Sequence, residues 1–341
     1  MAKKSNQKLK ALYVLDILKG KSDEEHPLNA SDIVKELQAL GVEAERKSVY
    51  DDISSLEFYG YDIIKTDYPK TGWFIGQREF EIPEIYLLGD AVRSAKFISA
   101  KKTRELLAKL NGMLSCYQVK RRENGVYFSA TEKSGNEEIY YNIDNISLAI
   151  SEQKQIKIKY YQRELDKNRN VIERSKEMVL NPYALCWQDD HYYLIGNYEK
   201  YDNLIHLRLD RIHSAAVLET KARHFSEVSA YKEYFDTADY VGKLFGMYSG
   251  DVTEIRLWCH KDITEQVLDR FGENVFITDI TEEGFGFKIN AVLSDALVTW
   301  IMNYGEKLRV TKSDELIEMI KNRAQKVLEN YKNENEEEKI S

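Results

Sequence analysis

Tyr193, His206, Arg208 and Arg211 crowd into one stretch, Asn181 to Ile212, NPYALCWQDDHYYLIGNYEKYDNLIHLRLDRI. Planar rings beside guanidinium groups suit a flat, anionic ligand, because bases stack on aromatic faces and the arginine fork matches phosphate oxygens. That chemistry points to a nucleotide or to single-stranded nucleic acid. The same residues admit an architectural reading, in which strand aromatics pack a core and Arg208 closes a surface ion pair with Asp210. Packing accounts better for Trp187 and Tyr192 and ligand contact better for Arg208, while Tyr193 and His206 stay open between the two.

No other constellation competes with this one. The histidines His26, His191, His206, His213, His224 and His260 are scattered, and none stands with a carboxylate and a nucleophile in a recognisable order. A phosphate loop, a dinucleotide glycine fingerprint and a nucleophile elbow are all missing from the sequence. The chain is therefore expected to be no enzyme and to carry no cofactor. Cys116, Cys186 and Cys259 are far apart and lack histidines at metal spacing, so they read as reduced, mostly buried thiols.

Three strands must position the opening residues. Met178 to Trp187, His191 to Tyr198 and Leu204 to Leu209 are rich in strand formers, and the breaks QDD and EKYDN carry turn chemistry. An antiparallel meander follows. Alternation puts Ile205, Leu207 and Leu209 on a core face and His206, Arg208 and Asp210 on the other, which is expected to lie outside the core. In the middle strand Tyr192 and Leu194 point one way and Tyr193 and Ile195 the other, leaving Tyr193 as the freer ring. Arg211, at the strand's exit, is out of phase with Arg208.

With Tyr192-Tyr193-Leu194 in its middle and Arg208-Leu209-Asp210-Arg211-Ile212 at its close, the stretch resembles the signature of WYL domains, which are ligand-sensing modules of bacterial regulators. The first signature letter departs, Tyr for Trp, and keeps an aromatic at an inward position. The resemblance implies a domain over 139–220, with a helix from Asn142 to Glu152, a strand from Gln155 to Tyr161, and about five strands forming a small SH3-like barrel. Ile156, Ile158 and Tyr160 share one face of that first strand, and Lys157, Lys159 and Tyr161 the opposite one.

The N-terminal segment supplies a second kind of chemistry. Leu9, Leu12, Tyr13, Leu15 and Ile17 give Lys8 to Lys19 a broad apolar face. Asn29 caps a second helix over Ala30 to Leu40, and Gly41 stops it. A third helix, Glu45 to Tyr59, carries an inner stripe of Val49, Ile53 and Leu56 and ends at Gly60, and a hairpin from Ile63 to Ile75 follows. Two helices with a short connection and a hairpin read as a winged helix-turn-helix over 1–78. Arg46, Lys47, Ser48 and Tyr50 on the third helix, with Lys65 and Lys70 on the wing, are the candidates for contact with a double-stranded DNA operator. The third helix resembles the recognition helix of DeoR-like winged regulators, with Lys47, Ser48, Val49, Asp52 and Ile53 at matching positions. Two residues depart: Glu45 stands in place of a capping serine, and Asp51 in place of a phosphate-binding arginine. Asp51 repels phosphate at close range and shifts the expected contact toward Arg46 and the wing.

A length of 341 residues implies two or three domains, and 43% hydrophobic residues give ample core material. No apolar run approaches the ~20 residues of a membrane helix, and MAKKSNQKLK leads into an amphipathic helix, so a cytoplasmic protein with no membrane partner is expected. A net charge of −8 confines any DNA contact to a local patch. Apolar periodicity from Ile85 to Tyr117 predicts a helical connector over 79–138, closed by a turn at VKRRENG. After a linker at 221–250, strands and helices alternate over 251–333, and the acidic tail 334–341 is expected to be frayed. That alternation, with RFGE and VTWIMNYG, resembles the C-terminal extension common in WYL regulators and implies a homodimer. The fold class expected is thus α+β multidomain. The function expected is a ligand-responsive DNA-binding transcriptional regulator, with a non-regulatory nucleic-acid-binding adaptor in phage defence or DNA repair as the alternative.

Overall fold

The computed structural model describes residues 9–123 and 133–337. It divides into two units, Met1–Glu137 and Glu138–Ser341. In the first unit, helix α1 (Lys10–Lys21) buries Val14, Leu15, Ile17 and Leu18. Helix α2 (Ala30–Ala39) starts where the sequence predicts: the Asn29 side chain accepts from the Asp32 backbone, and Asp32 accepts from the Asn29 backbone in return. Helix α3 (Arg46–Tyr59) turns Val49, Ile53 and Leu56 inward and ends on Gly60 at φ 116°, a conformation that costs a residue without Cβ little.

Strands β1 (Ile63–Thr66) and β2 (Gly72–Ile75) pair antiparallel, and Leu28 bonds to Trp73 through both backbone groups at 2.8 and 3.0 Å. This anchors the hairpin to the loop between α1 and α2. The approach requires glycine at position 72, where a Cβ would stand 2.7 Å from the Leu28 carbonyl carbon. One core, including Leu18, Ile33, Val49 and Trp73, holds the three helices and the hairpin together. A largely buried ion pair, Lys10 Nζ to Asp52 at 3.0 Å, ties α1 to α3.

The connector comprises α4 (Ile82–Ser94), α5 (Ala100–Asn111) and α6 (Cys116–Glu123). Here the sequence expectation of a turn from Val119 is corrected, since Val119 to Glu123 are helical. The reason is a reciprocal cap upstream: the Ser115 N–H donates to Gln118 Oε1 and the Gln118 N–H donates to Ser115 Oγ, and nothing in Lys120–Glu123 breaks the helix so started. The remainder of that expected turn, from Asn124, lies outside the described residues.

In the second unit, α7 (Ile139–Ser151) packs on a five-stranded antiparallel sheet of order β6-β5-β4-β3-β7. Its strands are β3 (Lys154–Leu165), β4 (Val171–Gln188), β5 (His191–Tyr198), β6 (Leu204–Arg208) and β7 (Ile212–Lys221). The expected SH3-like barrel is corrected to an open sheet, because β6 and β7 form its two edges. Strand β6 ends at Arg208, and the 3-10 turn Leu209–Arg211 carries the chain to the far edge, where β7 pairs with β3 and not with β6.

Residues 221–250, expected as a linker, include a packed strap. Val228, Tyr240, Leu244 and Met247 form one buried cluster with Ala184, Ile195 and Leu204 of the sheet. Helix α8 (Thr237–Gly242) lies within this strap. Beyond it a second sheet of order β11-β8-β10-β9 is built from β8 (Val252–His260), β9 (Phe276–Ile280), β10 (Gly284–Val292) and β11 (Leu308–Lys312). Helices α9 (Thr264–Phe271), α10 (Asp295–Met302) and α11 (Asp314–Glu337) accompany it, with Val267, Leu297, Val298, Ile301 and Leu316 in the shared core. Helix α11 runs through the first half of the segment expected as tail, to Glu337, and residues 338–341 lie outside the described ones.

Candidate functional site

Strand register places Tyr193 opposite both Cys186 and Arg208, and Ile195 opposite both Ala184 and His206. Directly opposed residues share a face, so Cys186, Tyr193, Ile195, His206 and Arg208 stand together. The sequence expectation that this face lies outside a core is corrected: Ile195 is 0% exposed and Cys186 and Tyr193 pack against the strap cluster. Leu194, on the other face, is also 0% exposed. Tyr192 is half-buried, whereas Trp187 is 49% exposed and not the packed residue expected.

His206 is held at both ring nitrogens. Its Nδ1–H donates to the Met247 carbonyl at 2.7 Å, and its Nε2 accepts from the Tyr240 hydroxyl at 2.9 Å. A carbonyl can only accept, and that fixes the tautomer. Burial lowers the His206 pKa below its ordinary value, partly opposed by the bond to Met247, so the ring stays neutral near pH 7. This side chain fastens the strap to the sheet.

Arg208 faces Asp210 with two parallel bonds, Nε to Oδ1 at 3.0 Å and Nη2 to Oδ2 at 2.7 Å. The pair is mostly buried, at 26% and 15% side-chain exposure, and Asp210 holds the guanidinium pKa above its usual value. With one edge so engaged, the Nη1 group points elsewhere with its donors. Burial pushes the Tyr193 hydroxyl pKa up, and Arg208, Asp189, Asp210 and Arg211 all act on it electrostatically. These groups are therefore gathered around one ring at the β4–β5 turn end of the sheet. Arg211 is exposed on the 3-10 turn and has no ion pair among the described residues. Across the β6 edge, Lys176, Tyr198, Tyr201 and Tyr248 border a groove of about 370 Å³, with the Lys176 ammonium 5.6 Å from the Tyr198 ring centre.

The structure sorts the N-terminal candidates by what they are already doing. Arg46, Lys47, Tyr50 and Lys65 are exposed, and neither Arg46 nor Lys47 nor Lys65 has an ion pair among the described residues. Ser48 Oγ donates to the Glu45 carbonyl at 2.9 Å, and the Glu45 side chain forms no cap. Lys70 is tied to Asp32 at 2.9 Å. Tyr50 stands edge-on to Trp73 with ring centres 5.1 Å apart, so the hairpin steadies its ring. Asp51 is exposed on the same helix.

A larger cavity, about 1070 Å³, lies in this unit beside Asp23, His26, Arg78 and Tyr117. Those groups are engaged with each other and with backbone. His26 bonds Asp23 at 2.7 Å and stacks on Tyr117, Asp23 accepts from Ser115 at 2.5 Å, and Arg78 donates to the Ser22 and Met113 carbonyls. They weld the connector to the loop between α1 and α2. Among the described residues no cluster of His, Cys, Asp or Glu is arranged to hold a metal, and no helix is long and apolar enough to cross a membrane.

Residues 141–217 match the family model of the WYL domain, and residues 251–328 match that of the WCX domain. These two matches bracket the candidate ligand residues and the second sheet. No curated relative matches the chain. Among solved structures, proteasome accessory factor B/C (PafBC) of Arthrobacter aurescens is similar at 15% identity and a TM-score of 0.28, over 91% of this chain and 47% of that one. A CRISPR Cas-related protein is similar at 14% identity and a TM-score of 0.36, over 94% of this chain and 84% of that one. The chain thus spans about half the length of the PafBC chain.

Proposed function

We propose that the chain is a ligand-responsive DNA-binding transcriptional regulator. The observation that carries this reading is the gathering of Arg208, Arg211 and Tyr193 at one end of the sheet, within the residues that match the WYL domain. Guanidinium forks beside a ring suit a nucleotide or a short single strand, with phosphate on the arginines and a base on Tyr193. His206 contributes indirectly, by fixing the strap behind Tyr193.

The first three helices and the hairpin serve as a winged helix-turn-helix, with Arg46, Lys47 and Tyr50 facing the major groove and Lys65 reaching backbone phosphate. Ser48 and Lys70 enter only by exchanging the Glu45 carbonyl and Asp32 for DNA. The chain works as a cytoplasmic homodimer paired through the C-terminal domain, where strand β9 exposes Phe276, Ile277 and Ile280. It binds and does not catalyse. The ligand acts by favouring one arrangement of the DNA-reading units, and it shifts DNA affinity only as far as it discriminates between arrangements.

Exposed Asp51 favours a second reading, a nucleic-acid-binding adaptor in phage defence or DNA repair that does not read an operator. Footprinting of the full chain on genomic duplex fragments, with and without a short single strand, separates the two. A regulator protects a defined, roughly palindromic site and its footprint changes with the added strand, a change that Arg208→Gln abolishes. Sequence-indifferent protection assigns the adaptor, and a response that survives Arg208→Gln removes Arg208 from the site.

A further inference from the structure

Arg270 is a half-buried cation without an acid. It lies near the end of α9, in the C-terminal domain, in the RFGE sequence. Its Nη2 donates to the Leu244 carbonyl at 2.8 Å, and its Cζ lies 4.4 Å from the centre of the Phe245 ring. Among the described residues no carboxylate pairs with it. A guanidinium has five N–H donors, and a single backbone carbonyl leaves most of them unused.

Leu244, which receives that bond, belongs to the cluster against which Tyr193 and Cys186 pack. Arg270 of α9 thus holds the same strap that covers the face carrying Tyr193. The end of the sheet is fixed as well: Asp189 sits in the β4–β5 turn, and its charge acts both on the Tyr193 hydroxyl and on Arg270. Burial lowers the Arg270 pKa, and the Asp189 charge offsets that only in part. Arg208, Arg211 and Arg270 balance Asp189, Asp190 and Asp210 at this end, in a chain of net charge −8.

We propose that Arg270 is a third guanidinium of the ligand site, reaching from the C-terminal domain to bind a phosphate group of the ligand held at Tyr193, Arg208 and Arg211. The proposal rests on the ligand-sensing reading of that site. Its consequence is mechanical, since one ligand then touches both the five-stranded sheet and α9, and its binding tightens the junction between the WYL and WCX segments.

The test uses the full chain and a fluorescein-labelled single-stranded DNA of about ten nucleotides, with anisotropy followed over a salt series. A nucleoside triphosphate serves as competitor. Loss of one phosphate contact should lower the magnitude of the log–log salt slope by about 0.7. Arg270→Gln is expected to show that loss with roughly tenfold weaker binding, and Arg270→Lys, which keeps the charge, to recover most of the slope. Displacement by the triphosphate, with the same loss in Arg270→Gln, supports a mononucleotide as the source of phosphate, whereas strand binding that resists the triphosphate supports an oligonucleotide. If Arg208→Gln loses binding while Arg270→Gln keeps affinity and slope, the assignment of Arg270 is overturned and the sensing reading stands. A lowered melting temperature in Arg270→Gln with an unchanged slope also overturns it, as that outcome is packing alone. A wild-type chain that binds neither probe overturns both readings.

Discussion

Replacing His206 by Ala tests whether the strap is clamped to the sheet by its ring. The substitution orphans the Met247 carbonyl and the Tyr240 hydroxyl, which the ring meets at 2.7 and 2.9 Å and whose residues are 7% and 9% exposed. Each buried polar group left unmatched costs about 1–3 kcal/mol. Water entering the vacated space recovers part of this, so about 3 kcal/mol is expected for the pair. At about 1.4 kcal/mol per tenfold, amides of residues 237–249 should exchange with solvent on the order of a hundredfold faster. Hydrogen exchange resolved by peptide mass spectrometry suits the question, since a chain of two units need not melt in one step. Tyr240→Phe removes only the donor to Nε2. The double variant should therefore cost about 1–2 kcal/mol less than the two single variants added together. Strict additivity, or exchange within about threefold of wild type in His206→Ala, would refute the clamp.

The same clamp has a pH signature. Burial lowers the His206 pKa in the closed form, whereas the opened strap exposes a ring with the ordinary value of 6.5. Between the two values the open form holds more protons, so strap stability is complete above about pH 6.5 and falls as pH drops toward the lowered value. Protection of residues 237–249, that is exchange corrected for the intrinsic amide rate at each pH, should fall on acidification, and His206→Ala should lose that fall. Protection that rises as pH falls through this window would give the opposite sign and exclude neutral His206 as the fastener.

Lys65→Ala should weaken duplex binding and lower the magnitude of its salt slope by about 0.9, one phosphate contact; an unchanged slope in a mobility-shift series removes Lys65 from the backbone contacts. Gly196→Ala should destabilise the second unit by ~1–3 kcal/mol, because its Cβ would stand 2.7 Å from the Asn181 carbonyl oxygen in a paired strand. Calorimetry should show that unit's transition several degrees lower, and an unmoved transition would mean that β4 and β5 part easily there. Of the three cysteines only Cys116 is exposed, while burial pushes the Cys186 and Cys259 thiols up to about 11. One thiol should therefore react quickly with a disulfide reagent in the native chain and all three after denaturation. Two fast thiols in the native chain would place Cys186 in contact with solvent.

Local signals carried much of the architecture. Asn29 with Asp32 announced the start of α2, Gly60 the end of α3, and the alternation Ile156, Ile158, Tyr160 the inner face of β3, because each is settled within one turn or one strand. The first half of β4 was not legible. Val171 to Glu177 pairs with the outer half of β3 as a ribbon with little burial, so no apolar alternation marks it. The His206 clamp and Arg270 were invisible for a different reason. His206 meets Tyr240 from 34 residues away and Arg270 meets Leu244 from 26, and no local period relates such partners. The RFGE sequence pointed to the neighbourhood of Arg270 without assigning it chemistry.

Alternation predicts one core face and one outer face for β5, but Leu194 and Ile195 are both fully buried, so the strand lies between two cores. Packing and ligand contact are then not rival roles for Tyr193. Its ring packs against the strap cluster, while its hydroxyl lies in the field of Arg208, Arg211, Asp189 and Asp210. The cover is complete over Ile195 and incomplete over Tyr193, and Arg208 and Arg211 act on the Tyr193 hydroxyl where it thins. A ligand bound there would extend the strap's cover by one more layer. It would draw on the same contacts that His206 and Leu244 hold in place, so loosening the clamp should weaken ligand binding even though His206 itself touches no ligand.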